Sequence, residues 1–148
     1  MNVKVTIKEF LEFVHIGEPL EEVQALISQL DALAYSMRYV SFEFDETEYP
    51  EAPTKEYDKV RAAVIKRFPS LGYYNVAQNV SKNVSKNLII IGDAIDDIAD
   101  IIGDLQEVMW CFNNTSNEDA LWHYQNSFTY HWGRHLRDLQ LYLHDLAG

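Results

Sequence analysis

The stretch Ile91-Gly-Asp-Ala-Ile-Asp-Asp-Ile-Ala-Asp-Ile-Ile-Gly-Asp-Leu105 decides the fold class of this chain. Its isoleucines recur every three or four residues, which is the spacing of one face of an α-helix. Aspartates occupy another side of the same helix. We therefore predict a long amphipathic helix over residues 87–112, weakened by Gly92 and Gly103, with its apolar face turned toward a core.

The same periodicity predicts four further helices, at residues 6–15, 19–37, 54–68 and 117–146. Residues 40–53 are expected to be a loop, and residues 70–87 a loop or irregular helix. Amphipathic helices joined in this way predict an all-α fold, an antiparallel bundle of about five helices. The length of 148 residues suits a single helical domain spanning residues 1–148.

The composition narrows the classes of function. The chain has 12 Lys+Arg against 23 Asp+Glu, a formal net charge of −11, which repels phosphate backbones and anionic lipids. We therefore expect neither nucleic-acid nor membrane binding. The longest apolar run, residues 88–91, is far too short to span a bilayer, and the first ten residues do not resemble a secretory signal. We expect a cytoplasmic protein.

Four aspartates of the central helix share one face: Asp93, Asp97, Asp100 and Asp104. The ordinary interpretation is a solvated face opposite the isoleucines. The alternative is a divalent-cation site, since clustered carboxylates are ligands for Mg²⁺ or Mn²⁺. Like charges at this spacing repel one another and invite a cationic partner, for which Arg134, Arg137 and the basic third helix are candidates.

The last helix carries His131 and His135, four residues apart and therefore on one side of it. Two imidazoles in this arrangement can bind Zn²⁺ or Fe²⁺, although interior histidines are often simply hydrogen-bonded. Arg134 lies beside them. Trp132 is interpreted as core packing, and the mid-helix Gly133 predicts the close approach of another element.

The chain lacks the common signatures of enzymes. It has no glycine-rich phosphate loop, no Cys-x-x-Cys and no Gly-x-Ser-x-Gly. Its single cysteine, Cys111, stands between Trp110 and Phe112, where we expect a buried, inert thiol rather than a nucleophile. The sequence therefore favours a protein that is not an enzyme. It requires no cofactor, and it is compatible with a bound divalent metal.

Two segments resemble a bacterial family known as domain of unknown function 5063. The stretch from Gly92 to Leu105 is similar to the family's Asp-rich helix, and Trp122-x5-Phe128-x2-His131-Trp-Gly-Arg-His135 is similar to its final helix. The pair Tyr73-Tyr74 precedes the Asp-rich helix, in the same order as in the family. The resemblance implies an all-helical protein without an assigned activity, and it implies that these two helices face each other. The linker at residues 76–87 departs from the family's pattern.

Three hypotheses about function follow. The first is a non-enzymatic, acidic protein-binding domain, of a regulatory or immunity type, that meets a basic partner through the Asp93–Asp104 face. The second is a metal or small-ligand site, possibly hydrolytic, between the two C-terminal helices, with Asp97, Asp100, His131 and His135 as ligands and Arg134 placing an anionic substrate. The third is a buried network without a ligand, joining Asp97, Asp100 or Asp104 to Arg134 and the histidines.

Overall fold

The computed structural model describes residues 1–15 and 17–147. Six α-helices and two β-strands follow one another in these ranges: α1 (Val3–His15), α2 (Gln24–Ser36), α3 (Tyr57–Arg67), β1 (Tyr73–Ala77), β2 (Ile89–Asp93), α4 (Ala94–Asn114), α5 (Asn117–Ser127) and α6 (Gly133–Ala147). A short 3-10 turn, Met37–Tyr39, follows α2. A π-helical turn, Phe128–Trp132, joins α5 to α6 without a break, so that the two form one continuous rod.

Helix α4 is the centre of the molecule. It packs against α1, α3, α5 and α6, and four of its large apolar side chains are completely buried: Ile98, Ile101, Ile102 and Leu105. The buried apolar residues of the other helices join them in one hydrophobic cluster. Because burying each such side chain stabilises a fold by roughly 1.5–3 kcal/mol, the isoleucine stripe of α4 supplies much of the stability of the core.

Several helix boundaries differ from the sequence prediction. Helix α1 begins at Val3 rather than at residue 6, because the Asn2 side chain accepts a hydrogen bond from the Val5 amide at 3.1 Å. Helix α2 begins at Gln24 and α3 at Tyr57, later than predicted from Pro19 and Thr54. By contrast, Ser116 does cap α5, accepting from the Asp119 amide at 3.0 Å, as its sequence predicts.

The all-α prediction is wrong in one respect, since the chain forms a two-stranded antiparallel sheet. Strands β1 and β2 pair with Tyr74 opposite Gly92 and Val76 opposite Ile90. Helix α4 therefore starts at Ala94, after Asp93, whose carboxylate accepts from the Ile95 amide at 3.0 Å. The run at residues 88–91 continues the helical spacing of the later isoleucines, so periodicity alone merges the strand with the helix.

Gly92 is required by this sheet. A Cβ atom built at Gly92 would lie 2.6 Å from Cγ2 of Val76 and 2.8 Å from Cζ of Tyr74. These distances are well inside van der Waals contact, so a larger residue would displace both side chains. The missing side chain lets Tyr74 cross the neighbouring strand and reach α4.

The hairpin formed by β1, β2 and their connection has one apolar face turned to solvent. On the inner face Val76 is buried and Tyr74 stacks on Tyr142 of α6, with ring centroids 4.6 Å apart. On the outer face Ile89 and Ile91 remain 62% and 77% exposed. Solvent-facing positions of an antiparallel sheet are usually polar, so this face is unusual.

The π-helical turn corrects the phase of the last helix. Tyr124 of α5 and Trp132 are both completely buried, although they stand eight residues apart. In an uninterrupted α-helix that spacing would rotate one about 80° away from the other. The wider turn absorbs the difference, with the Gly133 amide donating to the Phe128 carbonyl.

Gly133 serves this turn rather than the packing of a separate element, which corrects the sequence interpretation. A Cβ atom at Gly133 would lie 2.3 Å from the Phe128 carbonyl oxygen. Trp132 beside it stacks on Tyr124, with ring centroids 5.2 Å apart, and donates from its indole nitrogen to Ser127. The prediction that Trp132 is core packing is confirmed.

Within residues 1–15 and 17–147, none of the helices combines the length and apolar character needed to cross a bilayer.

Candidate functional site

The aspartate face of α4 is not a solvated face. Asp97 and Asp104 are only 6% and 5% exposed and lie against α6 and the π-helical turn. The ordinary interpretation of the sequence is therefore wrong for these two residues. Because an isolated charge is costly to bury, each of them must be matched by donors, and the donors come from four different segments.

Asp97 holds His135 and Tyr74. Its Oδ1 lies 2.7 Å from Nδ1 of His135, and its Oδ2 accepts from the Tyr74 hydroxyl. This hydrogen bond is the main cause that raises the pKa of His135, against the effect of burial. Burial and the same carboxylate raise the pKa of Tyr74, which stays a donor. The contact between Asp97 and Nδ1 fixes the orientation of the His135 ring, so that its other nitrogen, Nε2, is directed away from Asp97.

Asp104 holds His131 and Lys55 in a similar way. Its Oδ2 lies 2.5 Å from Nδ1 of His131, and its Oδ1 accepts from the Lys55 ammonium at 2.7 Å. Lys55 also lies 3.4 Å from Glu107. Burial would lower the pKa of Lys55, but these two carboxylates outweigh it and the net pKa is raised. Both histidines are thus oriented through Nδ1 by a buried aspartate of α4.

Asp100 stands between the two oriented histidines. Its Oδ2 lies 3.3 Å from Nε2 of His135, and the rings of His131 and His135 meet edge to face with centroids 4.9 Å apart. Asp100, His131 and His135 each offer one ligand atom, and these atoms all lie within 4.8 Å of one another. Burial, partly opposed by the imidazoles, raises the pKa of Asp100, so this carboxylate is incompletely compensated.

A small cavity opens beside this cluster. Its volume is about 140 Å³, and its walls include Asp100, Asp104, His131, Lys55 and Tyr57. Gly103 forms part of the same wall, with Cδ of Lys55 3.4 Å from where a Cβ would stand. The cluster is therefore open on one side to a small molecule.

Asp93, which precedes α4, and Asp96 in the first turn of α4 pair with the third helix. Arg61 bonds Asp96 at 2.7 Å and Asp93 at 3.1 Å, and the Tyr57 hydroxyl donates to Asp96 at 2.6 Å. Of the cationic partners predicted from the sequence, the basic third helix is thus the one that pairs with these aspartates. These contacts hold α3 along the open side of the cluster.

The other predicted cations lie elsewhere. Arg134 bonds Asp138 at 2.9 Å and the Ala77 carbonyl at 2.6 Å, which ties α6 to the hairpin. Arg137 bonds Gln140 at 3.2 Å. The structure therefore brings Asp97, Asp100, Asp104, His131 and His135 together, while Arg134 turns toward β1.

Sequence reasoning missed three polar side chains of this site: Lys55, Tyr57 and Tyr74. Tyr74 falls within residues 70–87, for which the sequence predicts a loop or irregular helix rather than a strand, so nothing in the pattern directs its side chain toward α4. Lys55 precedes α3 and Tyr57 is its first residue, and only their approach to α4 distinguishes them from ordinary surface residues. Pairing each buried aspartate with a required donor would have pointed to these segments, though not to the individual residues.

Comparisons with known proteins agree with this architecture. The sequence profile of DUF5063, a domain of unknown function, matches residues 4–147. The crystal structure of protein BF1032 from Bacteroides fragilis superposes with a TM-score of 0.75 over 97% of this chain and 89% of that chain, at 22% sequence identity. At that identity the likeness concerns the fold alone. The comparison with curated proteins gave no match.

Proposed function

The chain belongs to the DUF5063 family, which has no assigned activity, and within it we propose that this protein binds a divalent transition metal between α4 and α6. The ligands are Asp100, His131 and His135. A set of two histidines and one carboxylate suits Zn²⁺ or Fe²⁺. Asp97, which the sequence placed among the ligands, takes the role of orienting His135.

One observation carries this proposal. Each histidine gives its Nδ1 to a buried aspartate, at 2.7 Å and 2.5 Å, which is the arrangement that fixes metal-binding imidazoles with Nε2 free. The distance of 3.3 Å between His135 Nε2 and Asp100 Oδ2 matches the separation of about 3.3 Å between neighbouring ligands in a tetrahedral zinc site. A network that existed only for packing would not need to leave the Asp100 carboxylate without a strong donor.

The cavity beside Asp100 supports a small anion as a further ligand of the metal, in addition to the three from the protein. Three protein ligands leave further coordination positions to water or to a bound molecule. Lys55 lines the cavity, and its ammonium, which has three N–H donors, suits phosphate or a carboxylate. A metal-bound water at this position would have a lowered pKa, as hydrolysis requires.

The test is a titration of metal-free, tag-free protein with Zn²⁺ and with Mn²⁺, followed by calorimetry and by the melting temperature. We expect Zn²⁺ to bind, and the melting temperature to rise by mass action. Asp100→Asn and His131→Gln should weaken Zn²⁺ binding by more than about tenfold, because the loss of a residue that only supports a metal ligand already costs about that much. Both side chains are partly exposed, so these substitutions should leave the fold intact.

His144→Gln provides the matched control, since His144 is an exposed histidine on the last turn of α6. It should bind Zn²⁺ as the wild type does. The proposal is wrong if wild-type protein neither releases heat nor gains melting temperature with either metal, or if Asp100→Asn and His131→Gln bind Zn²⁺ as tightly as the control.

A protein-binding role is a second candidate, and the outer face of the hairpin favours it. Residues 59–92 hold six lysines and arginines and no aspartate or glutamate, so repulsion between two chains of net charge −11 is weakest here. The exposed Ile89 and Ile91 would be covered if a second copy of the chain met this face symmetrically. The partner we propose for this surface is therefore a second copy.

Light scattering at increasing concentration tests this second candidate. We expect wild-type protein to form dimers, and the double variant Ile89→Thr, Ile91→Thr to remain monomeric. Leu141→Thr, at a position of α6 that is 71% exposed, is the control and should dimerise as the wild type does. A wild-type protein that is monomeric throughout would exclude this role for the hairpin.

A further inference from the structure

A second group of metal-ligating side chains lies where α4 ends and α5 begins. It consists of Cys111, Asp119 and His123, each of which offers one ligand atom, and these atoms lie within 4.8 Å of one another. None of the three belongs to the site formed by Asp100, His131 and His135. The sequence predicts only that Cys111 is a buried, inert thiol, and nothing in the sequence pattern places it beside Asp119 and His123.

The fold builds this cluster from local contacts. Asp119 and His123 stand four residues apart on α5, with Oδ1 of Asp119 3.6 Å from Nε2 of His123. The Thr115 hydroxyl donates to Oδ2 of Asp119 at 2.7 Å and contacts the Cys111 carbonyl at 2.9 Å. Thr115 thus holds one carboxylate oxygen and leaves the other facing His123, as a supporting residue does around a metal.

The cluster opens onto a cavity of about 400 Å³. Its walls include Cys111, Asp119, His123 and Glu107, and residues 47–52 of the long loop close the other side. A cation could therefore reach a thiol that is itself only 2% exposed. The combination of sulfur, imidazole nitrogen and carboxylate oxygen is typical of sites for Zn²⁺ rather than for Mg²⁺ or Ca²⁺.

We propose that Cys111, Asp119 and His123 form a second, sulfur-containing Zn²⁺ site, with a fourth position open to water in the cavity. The Cys111 thiol loses its proton to solvent when the metal binds, and the thiolate becomes a ligand. Without metal, burial and the nearby Asp119 and Glu107 raise the pKa of Cys111 to about 11, so the free thiol is neutral and unreactive at pH 7. This inference does not depend on the site between α4 and α6.

Cobalt substitution distinguishes the two sites. Co²⁺ bound by a thiolate gives a sulfur-to-metal charge-transfer absorption in the near ultraviolet, whereas Co²⁺ bound by histidine and carboxylate alone does not. We expect this band when metal-free wild-type protein is titrated with Co²⁺. His123→Gln should weaken the affinity read from the band by more than about tenfold. Excess Zn²⁺ should abolish the band.

Two variants make the result decisive. Cys111→Ser, which changes one buried atom, should remove the band and reduce the bound Zn²⁺ by one ion per chain. His131→Gln, which alters only the other site, should keep the band at full strength. The proposal is overturned if wild-type protein shows no such band, or if the band persists in Cys111→Ser. If His131→Gln loses metal while the band survives, the two sites are shown to be separate.

Discussion

At the scale of single residues, the charge of His135 is the most informative quantity. Its pKa is raised above the ordinary value of 6.5 chiefly by the hydrogen bond to Asp97, so the folded state binds this proton more tightly than the unfolded state does. The resulting stabilisation is fully present below pH 6.5 and is lost as the pH rises through the raised pKa.

We therefore predict that metal-free protein melts at a lower temperature as the pH is raised from 6.5 to about 8, a range in which few other side chains titrate. Asp97→Asn keeps the size of the side chain but removes the charge, so it should flatten this dependence. The measurement is the melting temperature across the pH range in the presence of a chelator. His144→Gln should keep the wild-type slope. An unchanged slope in Asp97→Asn would show that Asp97 is not the cause.

Protons and metal compete for the same imidazole, and this predicts a second, opposite trend. As the pH rises and His135 loses its proton, the increase in melting temperature caused by Zn²⁺ should become larger. The comparison is made at one Zn²⁺ concentration for wild type and Asp100→Asn. A gain in melting temperature that is independent of pH would argue that His135 is not a ligand.

The site residues that could be predicted from the sequence are those whose residue type and helical spacing identify them as possible ligands. The i,i+4 spacing of His131 and His135 and the shared face of Asp97, Asp100 and Asp104 identified five residues that the structure brings together. Their donors could not be identified in the same way. Lys55 is separated from Asp104 by 49 residues, and no local pattern connects the two.

At the scale of elements, the π-helical turn between α5 and α6 has a testable requirement for glycine. We predict that Gly133→Ala lowers the free energy of unfolding by about 1–3 kcal/mol, since its Cβ would meet the Phe128 carbonyl at 2.3 Å. The same displacement moves the backbone that carries His131, so Zn²⁺ binding should weaken. Chemical denaturation measures the first effect and calorimetry the second.

Gly103 is the matched control, because it also lies within a helix but has room for a methyl group. The closest atom to a Cβ at Gly103 is Cδ of Lys55, at the ordinary distance of 3.4 Å. Gly103→Ala should therefore stabilise the protein by about 0.5–1 kcal/mol through its helix propensity. If both variants destabilise equally, close packing at residue 133 is not the explanation.

The elements that sequence reasoning predicted well are those with a long, regular apolar stripe. Helix α4 beyond residue 94 and the rod from Asn117 belong to this group. The hairpin was missed because each of its strands has only five residues, and because Ile91 continues the spacing of the isoleucines that follow. Gly92 marked a break in the pattern, but glycine also occurs inside helices, as Gly103 does.

At the scale of the whole molecule, the charge of −11 is distributed unevenly. The aspartates of α4 are largely matched by Lys55, Arg61 and the two histidines, so most of the unmatched negative charge lies on the other surfaces. We predict that raising the NaCl concentration from about 0.01 M to 0.3 M increases the melting temperature, because salt screens surface repulsion more than partly buried pairs.

Removing exposed negative charges should reduce this effect of salt. Glu21→Gln with Glu22→Gln changes two exposed residues that precede α2, and we expect a smaller increase in melting temperature than in the wild type. A melting temperature that falls with salt would mean that the ion pairs around α4 outweigh the repulsion. Composition predicted a folded, acidic protein and the apolar periodicity predicted its helices, while the pairing of its buried charges depends on contacts between residues distant in sequence.

The π-helical turn also makes two features of the sequence depend on each other, namely the spacing between Tyr124 and Trp132 and the glycine at position 133. The spacing of eight residues between Tyr124 and Trp132 is equivalent to one residue inserted into a regular helix, and Gly133 is the residue that accommodates it. A chain with the shorter spacing of seven would keep both aromatic rings in the core without any need for that glycine. We therefore expect that deleting Thr129 together with Gly133→Ala is better tolerated than Gly133→Ala alone. In the family as a whole, the inserted residue and the glycine should be gained or lost together.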